Sequence, residues 1–248
     1  MAVYDTEENG RTEYTRETLH CLMQTVNMAR HTIHVIDNAS CKATKILLDE
    51  FKPFIQLQTL GQNIGTARAI NKAWELREGQ HAIKMDNDVV IHLKGWADEL
   101  EDVVNSQPDV GIVGLKRKDL AERPDSKEAH YRSSLSMTGG NGKPWVVLED
   151  VKHVMGTCQM YNSKLLDKIG FLHQPGIYGF DDSLAAIRCT KAGFRNCFLP
   201  HIDIDHIDTG ASDYSQHKRE LAGEGMAEFN RLREGYQNGT LDIYHGMD

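Results

Sequence analysis

The stretch HAIKMDNDVV, residues 81–90, joins an apolar run, three polar residues and a second apolar pair. The run His81–Met85 has the length and composition of a buried β-strand, and a DND turn ends it. In an extended chain, residues i and i+2 face the same way, so Asp86 and Asp88 present two carboxylates to one side. Open α/β sheets bind ligands at the carboxyl ends of their strands. The stretch therefore predicts a ligand site at one edge of a sheet.

Short β-branched runs alternate with helix-length amphipathic runs from Ala2 to Leu115. This alternation is typical of βαβ units, and it predicts an α/β fold with a mixed, mainly parallel central sheet flanked by helices. The predicted strands are 2–5, 31–36, 54–60, 81–85 and 110–115, and the predicted helices are 14–29, 63–77, 94–105 and one that Ser40 caps.

The alternation of strands and helices breaks down after Leu115. The charged segment 116–131 and the turn cluster 139–144 separate the first half from the second. In the second half, strands are predicted at 151–161 and within 195–206, and helices at 163–169, 182–192 and 212–235.

Length and composition predict a soluble globular protein. The 248 residues are 40% hydrophobic and 26% charged, enough to bury a core without disulfides or a structural metal. The five cysteines form no C-x-x-C pair and are expected to be reduced thiols. Because the chain has neither a run of about 18 apolar residues nor the order of a signal peptide, we expect a cytoplasmic protein without a membrane partner.

The paired carboxylates of Asp86 and Asp88 would need a cation beside them. Hard oxygen ligands of this kind suit Mg²⁺ or Mn²⁺ carried with a phosphorylated substrate. A solvated turn after a strand remains the alternative for this motif.

Four further stretches accompany the DND motif in a fixed order. They are DNAS at 37–40, QNIGTARAIN at 62–71, GFDDS at 179–183 and His206 within IDIDHID. Together these stretches resemble the family 2 type of GT-A fold glycosyltransferase, and the compact form is similar to small viral and metagenomic enzymes of this fold. The resemblance implies a Rossmann-like nucleotide-sugar-binding domain at 1–211, with a donor half at about 1–115 and an acceptor half at about 116–211. A C-terminal helical extension at 212–248 would follow.

The resemblance also implies which residues hold a UDP-sugar donor. Asp37 would take the uracil edge, and residues after the first strand would line the base and ribose pocket. The alternative for Asp37 and Asn63 is a capping or turn role. Many relatives place an arginine where this sequence has Ile70, although Arg68 lies on the same predicted helix. The implied donor-binding residues are Val3, Tyr4, Asp5, Asp37, Asn63, Gly65, Arg68, Asn71, Asp86 and Asn87.

A metal site and a catalytic base follow from the same resemblance. Asp88 and His206 would bind Mn²⁺ or Mg²⁺ with help from Asp86, and His201 is the fallback ligand. An imidazole nitrogen, together with carboxylate and diphosphate oxygens, forms a suitable ligand set for Mn²⁺. The ion would neutralise charge on the departing diphosphate.

Asp182 would be the base of an inverting transfer, accepting the proton of the acceptor hydroxyl as it attacks the anomeric carbon. Asp181, the other implied catalytic residue, stands where relatives carry glutamate. The alternative is that both acids simply favour a helix N-terminus. Tyr178, Phe180 and Trp145 are either pocket or core aromatics.

The acceptor is left open by the sequence. Segment 116–132 has a local net charge of +2 in a chain of formal charge −8, so it is either a solvated loop or a contact for an anionic acceptor. A hydroxymethylated base in DNA would have to be flipped out of the duplex or met single-stranded. Glycan, protein and small-molecule acceptors are alternatives.

Two other function classes compete with sugar transfer. A phosphatase of the haloacid-dehalogenase type would use Asp86 as nucleophile and Asp88 as acid and base. A nucleotide-sugar-binding module without turnover would bind UDP and transfer nothing.

Overall fold

The first half of the chain alternates strands with helices, as its sequence predicts. The structure, a computed structural model, describes residues 1–121, 134–140, 143–208 and 213–247. The elements of this half are β1 (Ala2–Val3), α1 (Thr12–Thr25), β2 (His34–Asp37), α2 (Lys42–Phe51), β3 (Gln56–Thr59), α3 (Thr66–Trp74), β4 (Ala82–Met85), β5 (Val89–Val90), α4 (Trp96–Ser106) and β6 (Val110–Arg117). Each predicted element overlaps an observed one.

The second half begins with a 3-10 helix at Lys118–Ala121. The elements that follow are β7 (Ser134–Gly140), β8 (Lys143–Val151), β9 (Cys158–Tyr161), α5 (Ser163–Ile169), α6 (Asp181–Lys191), β10 (Arg195–His206), α7 (Asp213–Glu224) and α8 (Met226–Asn238). Most of the charged segment 116–132 and the expected domain boundary at 211–212 lie outside the described residues.

Three local predictions differ from the structure. The predicted strand at 151–161 is divided between β8 and β9, because the intervening loop turns away to contact the start of α6. The predicted helix at 212–235 breaks at Gly225, and α8 packs against α6. Ser40 does not cap α2; its hydroxyl instead accepts from the Asp5 amide at 3.2 Å.

The strands form two sheets. β1, β2 and β3 make a parallel sheet in that order. The larger sheet runs β4-β9-β6-β10-β8-β7, with β5 paired to β10. In it β6 and β10 are parallel, while β9 inserts antiparallel between β4 and β6. The predicted α/β class, with a mixed sheet flanked by helices, is confirmed.

The end of β10 is brought to the DND turn by strand pairing. A register shift lies between Phe198 and Asp203, around Pro200, which cannot donate a ladder hydrogen bond. Beyond it, His206 pairs with Val89 of β5, and the Ile207 amide donates to the Asp88 carbonyl at 3.0 Å. Two segments more than 100 residues apart in sequence thus meet at one sheet edge.

Helix α6 lies close to the sheet because β6 carries a glycine beneath it. A Cβ at Gly111 would lie 2.6 Å from Cys189 Sγ and 2.7 Å from Phe194 Cβ, so any larger residue would push the helix away. The buried Leu184 of α6 also packs against Leu232 and Tyr236 of α8. Helix α6 therefore packs against the sheet on one side and against α8 on the other. None of the helices in the described ranges is both long and apolar enough to cross a membrane.

Candidate active site

A cleft of about 480 Å³ opens where β1, β4 and β10 end. The start of α6 and one side of α7 complete its walls. This volume suits a small-molecule ligand, and the carboxyl ends of strands are where α/β sheets bind ligands. The predicted site residues that line it are Val3, Tyr4, Asn63, Asp86, Asn87, Asp88, Asp181, Asp182 and His206.

The DND turn forms one wall of the cleft. Asn87 donates to Asp5 Oδ1 at 2.9 Å and to Thr15 Oγ1 at 2.7 Å, which fixes the turn to the protein beneath it. Burial, together with the like charge of Asp88, raises the pKa of Asp86 to about 7, although Lys84 opposes this shift. The turn thus presents to the cleft a carboxyl group, that of Asp86, whose pKa lies near neutral pH.

Asp88 lies at the centre of a buried group of charges. Its Oδ2 atom pairs with the Arg11 guanidinium and lies 3.4 Å from His206 Nε2. The same guanidinium contacts Asp208 Oδ2 at 2.5 Å. Asp88 Oδ1 is buried and accepts no hydrogen bond from the described residues. One oxygen of Asp88 is therefore engaged, and the other is left for a ligand.

A divalent cation fits Asp88 and His206 on the chemistry of their donor atoms. A buried carboxylate oxygen without a partner and an adjacent imidazole are suitable ligands for Mn²⁺. Burial lowers the pKa of His206, which favours the neutral ring that metals bind. Asp86 lines the same cleft. Among the described residues, three side chains with ligand atoms within 4.8 Å of one another are found at His31, Asp98 and Glu101, and this group lies outside the cleft.

The two acids predicted to be catalytic begin α6. Asp182 accepts hydrogen bonds from the amides of Gly156 at 2.9 Å and Ser183 at 2.7 Å, and His153 Nε2 lies 3.2 Å from its Oδ2. Burial disfavours the Asp182 carboxylate, but His153, Lys84 and the Ser183 amide outweigh it and hold the pKa of Asp182 below its usual range. Asp182 is thus ionised and oriented at neutral pH.

Asp181 is engaged by a lysine from the strand that precedes the DND motif. Lys84 Nζ contacts Asp181 Oδ2, and both side chains are buried. Burial opposes the charge on Lys84, yet Asp181 and Asp86 raise its pKa above the ordinary value, so Lys84 stays charged. This pair joins β4 to the start of α6 and fixes the position of Asp182.

Replacing Lys84 by methionine is expected to destabilise the protein by about 3–5 kcal/mol, because Asp181 would remain buried without its partner. Urea unfolding of the purified chain measures this loss. The double variant Lys84→Met/Asp181→Asn leaves no unpaired charge at the pair and should recover part of the stability. Equal losses in the single and double variants would contradict the assigned ion pair.

His153 couples the stability of this site to pH. Burial opposes its charge, but the hydrogen bond and charge of Asp182, with Asp181, raise the pKa of His153 above 6.5, while Lys84 acts against them. A raised folded-state pKa contributes stability that is complete below the unfolded value and is lost as pH rises through the folded value.

We therefore expect His153→Gln to cost about 1 kcal/mol at acidic pH, the size of a partly exposed ion pair, and less at alkaline pH. Urea unfolding at about pH 5.5 and about pH 8.5 measures the difference. In an Asp182→Asn background the pH dependence of the loss should be smaller, because only Asp181 would then raise the pKa of His153. A loss that is equal at both pH values would show that His153 stays neutral.

Four predicted donor-binding residues lie behind the cleft rather than on its surface. Asp37 Oδ1 accepts from the Ser40 amide at 2.7 Å, as the turn alternative predicted, while its buried Oδ2 accepts nothing from the described residues. Asp5 is buried beneath Asn87, and burial raises its pKa. Asn71 is buried and bonds to the Leu172 backbone. Their predicted contact with a donor stays a prediction.

Gly65, the fourth of these residues, opens α3 in a conformation that favours glycine. Its φ is +92°, and a Cβ there would lie 2.9 Å from the Ile177 carbonyl oxygen. Asn63 Oδ1 accepts from the Gly65 amide at 2.9 Å and from Asn38 Nδ2 at 2.7 Å. These contacts fix the loop that carries Asn63 to the cleft.

Two candidate residues lie away from the cleft. Arg68 is exposed on α3 and does not line the cleft, and His201 pairs with Glu99 at 2.7 Å on another surface. Tyr178 and Phe180 line the cleft, whereas Trp145 is exposed on β8.

Several cleft residues were not found from the sequence. His217 and Lys218 enter from α7, and Arg11 enters from the loop before α1. Of these residues, Lys84 could have been found from the sequence. It lies within an apolar strand two residues before Asp86, so its side chain points to the same side of the strand as that of Asp86.

Comparison with known proteins identifies the family and the fold of the chain. The family model for Glycosyl transferase family 2 matches residues 8–170. No curated protein matches the chain. The mannosyltransferase PcManGT from Pyrobaculum calidifontis, solved with GDP-Man and Mn²⁺, is 16% identical with a TM-score of 0.62, over 93% of this chain and 62% of that one. TarS 1–349 of S. aureus, solved with UDP, is 15% identical with a TM-score of 0.65, over 95% of this chain and 64% of that one.

A third solved structure, GalNAc-T7 with UDP, GalNAc and Mn²⁺, is 13% identical with a TM-score of 0.61, over 95% of this chain and 54% of that one. At such identities the likeness shows the fold alone, and this chain spans less than two thirds of the length of each of the three. The family match covers more than half of the 248 residues and agrees with the resemblance seen in the sequence. The chain belongs to glycosyl transferase family 2.

Proposed function

We propose that this chain transfers a sugar from a UDP-sugar to an acceptor hydroxyl in a reaction that depends on Mn²⁺ or Mg²⁺. The observation that carries the proposal is that one cleft holds Asp88 beside His206 together with Asp182 at the start of α6. Sugar transfer needs positive charge near the leaving diphosphate and a base near the acceptor hydroxyl. This cleft supplies residues for both.

The donor would lie along the wall formed by Tyr4, Asn63 and Asp86. Asp88 and His206 would hold the divalent ion, which neutralises charge on the diphosphate when it is bound. TarS and GalNAc-T7 were solved with UDP, and PcManGT with GDP-Man. Both UDP-sugars and GDP-sugars therefore belong in the test, and we expect the UDP-sugars to react.

Asp182 would take the acceptor proton. The acceptor oxygen then bonds to the anomeric carbon as the bond from that carbon to the diphosphate breaks, and the nucleoside diphosphate leaves with the bonding electrons. Attack from the face opposite the diphosphate inverts the anomeric centre. Asp181, paired with Lys84, would hold Asp182 in position.

The described part of segment 116–132 gives a DNA acceptor no support. Lys116 pairs with Glu149, Arg117 with Asp119 and Lys118 with Asp205, so these cations are already matched by carboxylates. Glycan, protein and small-molecule acceptors stay as the alternatives.

A donor screen tests the proposed function. The purified chain is mixed with UDP- and GDP-sugars in Mn²⁺, Mg²⁺ or EDTA, and release of UDP or GDP is followed. We expect release from a UDP-sugar only with a divalent ion, and mass spectrometry of candidate acceptors, including hydroxymethylated DNA, then identifies the product. UDP binding without release would indicate a binding module, and a covalent aspartyl phosphate on Asp86 would indicate a phosphatase.

A further inference from the structure

Arg11 places a permanent positive charge inside the cleft. Its guanidinium lies between Asp88 and Asp208, and the three side chains are only 4%, 3% and 5% exposed. An arginine side chain keeps its charge at any pH at which a protein is folded. The cleft therefore contains a cation of its own at the carboxylate assigned to the divalent ion.

The surroundings of Arg11 show which contacts that cation satisfies. It occupies Asp88 Oδ2, while Asp88 Oδ1 accepts no hydrogen bond from the described residues. Asp208 Oδ2 contacts Arg11 at 2.5 Å and lies 3.5 Å from Lys218 Nζ. Asp208 thus has a second cation nearby, whereas the other neighbour of Asp88 is the His206 ring.

A divalent ion and a guanidinium on the same carboxylate repel each other. Two positive charges a few ångströms apart in a partly buried site repel each other strongly, because water screens them less there than at the surface. An anion placed beside both cations would remove this penalty. A diphosphate is such an anion, and guanidinium groups bind phosphate oxygens well.

We propose that Arg11 competes with the divalent ion for Asp88, so that the ion binds tightly only when a nucleoside diphosphate is present to pair with the guanidinium. The inference rests on the proposed function, because it assigns Asp88 to the ion. It makes Arg11 a positioning residue that links metal binding to donor binding.

The experiment is a Mn²⁺ titration of the purified full chain, followed by electron paramagnetic resonance, with and without UDP. We expect the wild-type chain to bind Mn²⁺ weakly alone and at least tenfold more tightly with UDP, a change of about 1.4 kcal/mol. Arg11→Gln should bind Mn²⁺ alone at least about tenfold more tightly than wild type and should gain less from UDP.

Two further variants separate competition from other effects. The double variant Arg11→Gln/Asp208→Asn removes one positive and one negative charge, so the net charge stays the same. Because it leaves no charged Asp208 buried without Arg11, it serves as the test if Arg11→Gln fails to fold. It should still bind Mn²⁺ alone more tightly than wild type. Arg16→Gln removes an exposed arginine of α1 that pairs with Glu13 and should leave Mn²⁺ affinity unchanged.

The outcomes distinguish this inference from the proposed function. If both Arg11 variants bind Mn²⁺ no more tightly than wild type, Arg11 is a structural clamp and the competition is overturned, even if UDP release depends on metal. If they bind it more tightly while no nucleotide sugar is ever cleaved, the competition holds and sugar transfer fails.

Discussion

Asp182→Asn is expected to lower sugar transfer by about 10²–10⁴-fold, the usual contribution of a general base, while UDP affinity stays unchanged. Asparagine keeps the shape of the side chain but cannot take the acceptor proton. Asp182 is also the acid at the start of α6 whose carboxylate is ionised and fixed by two backbone amides. Initial rates of UDP release and calorimetric UDP binding measure the two effects separately.

The matched control for this variant is Asp167→Asn. Asp167 is an aspartate of α5 whose side chain is 67% exposed, and it pairs with Arg77 outside the cleft. Both activity and UDP binding should survive this change. A wild-type rate in Asp182→Asn would exclude Asp182 as the base.

Asp88→Asn is expected to remove the metal-dependent part of UDP affinity. Asp88 is the buried carboxylate next to His206, and its amide would lose the negative charge that attracts a divalent ion. We expect UDP to bind at least about tenfold more weakly in Mn²⁺, equal to about 1.4 kcal/mol, and equally well with Mn²⁺ or EDTA.

Calorimetry with Asp205→Asn provides the comparison for Asp88. Asp205 lies next to His206 on β10 but pairs with His92 and Lys118, and it does not line the cleft. This variant should retain the full effect of Mn²⁺ on UDP binding. If Asp88→Asn retains that effect too, the ion is held elsewhere.

The sequence predicted the parts of this fold that depend on local pattern. Alternating apolar runs gave the strands and helices of the first half, and the end of the run at Met85 gave the position of the DND turn. Motif order then gave Asp182 and His206, which the structure brings into the same cleft. Whether these residues act as assigned stays a prediction.

The contacts between distant segments could not be predicted from pattern alone. Arg11 is separated by 77 residues from Asp88 and by 197 from Asp208, and no periodicity relates such positions. His153 lies in a loop, whereas the hydrophobic pattern predicted a strand there. The loop is positioned by a tertiary contact between His153 and Asp182, which the local pattern does not contain. The antiparallel insertion of β9 likewise depends on its pairing with both β4 and β6, which are distant in sequence.

The carboxy-terminal helix α8 supports the helix that begins at the candidate active site. Leu232 and Tyr236 pack beneath Leu184, and Arg188 of α6 donates to the Ile243 carbonyl at 2.7 Å. A recombinant fragment trimmed to the family-matched residues 8–170 would lack α6 and also α8, which packs against it. Shortened versions made for crystallisation or enzyme engineering therefore need to retain the chain through Ile243, even though that residue does not line the cleft.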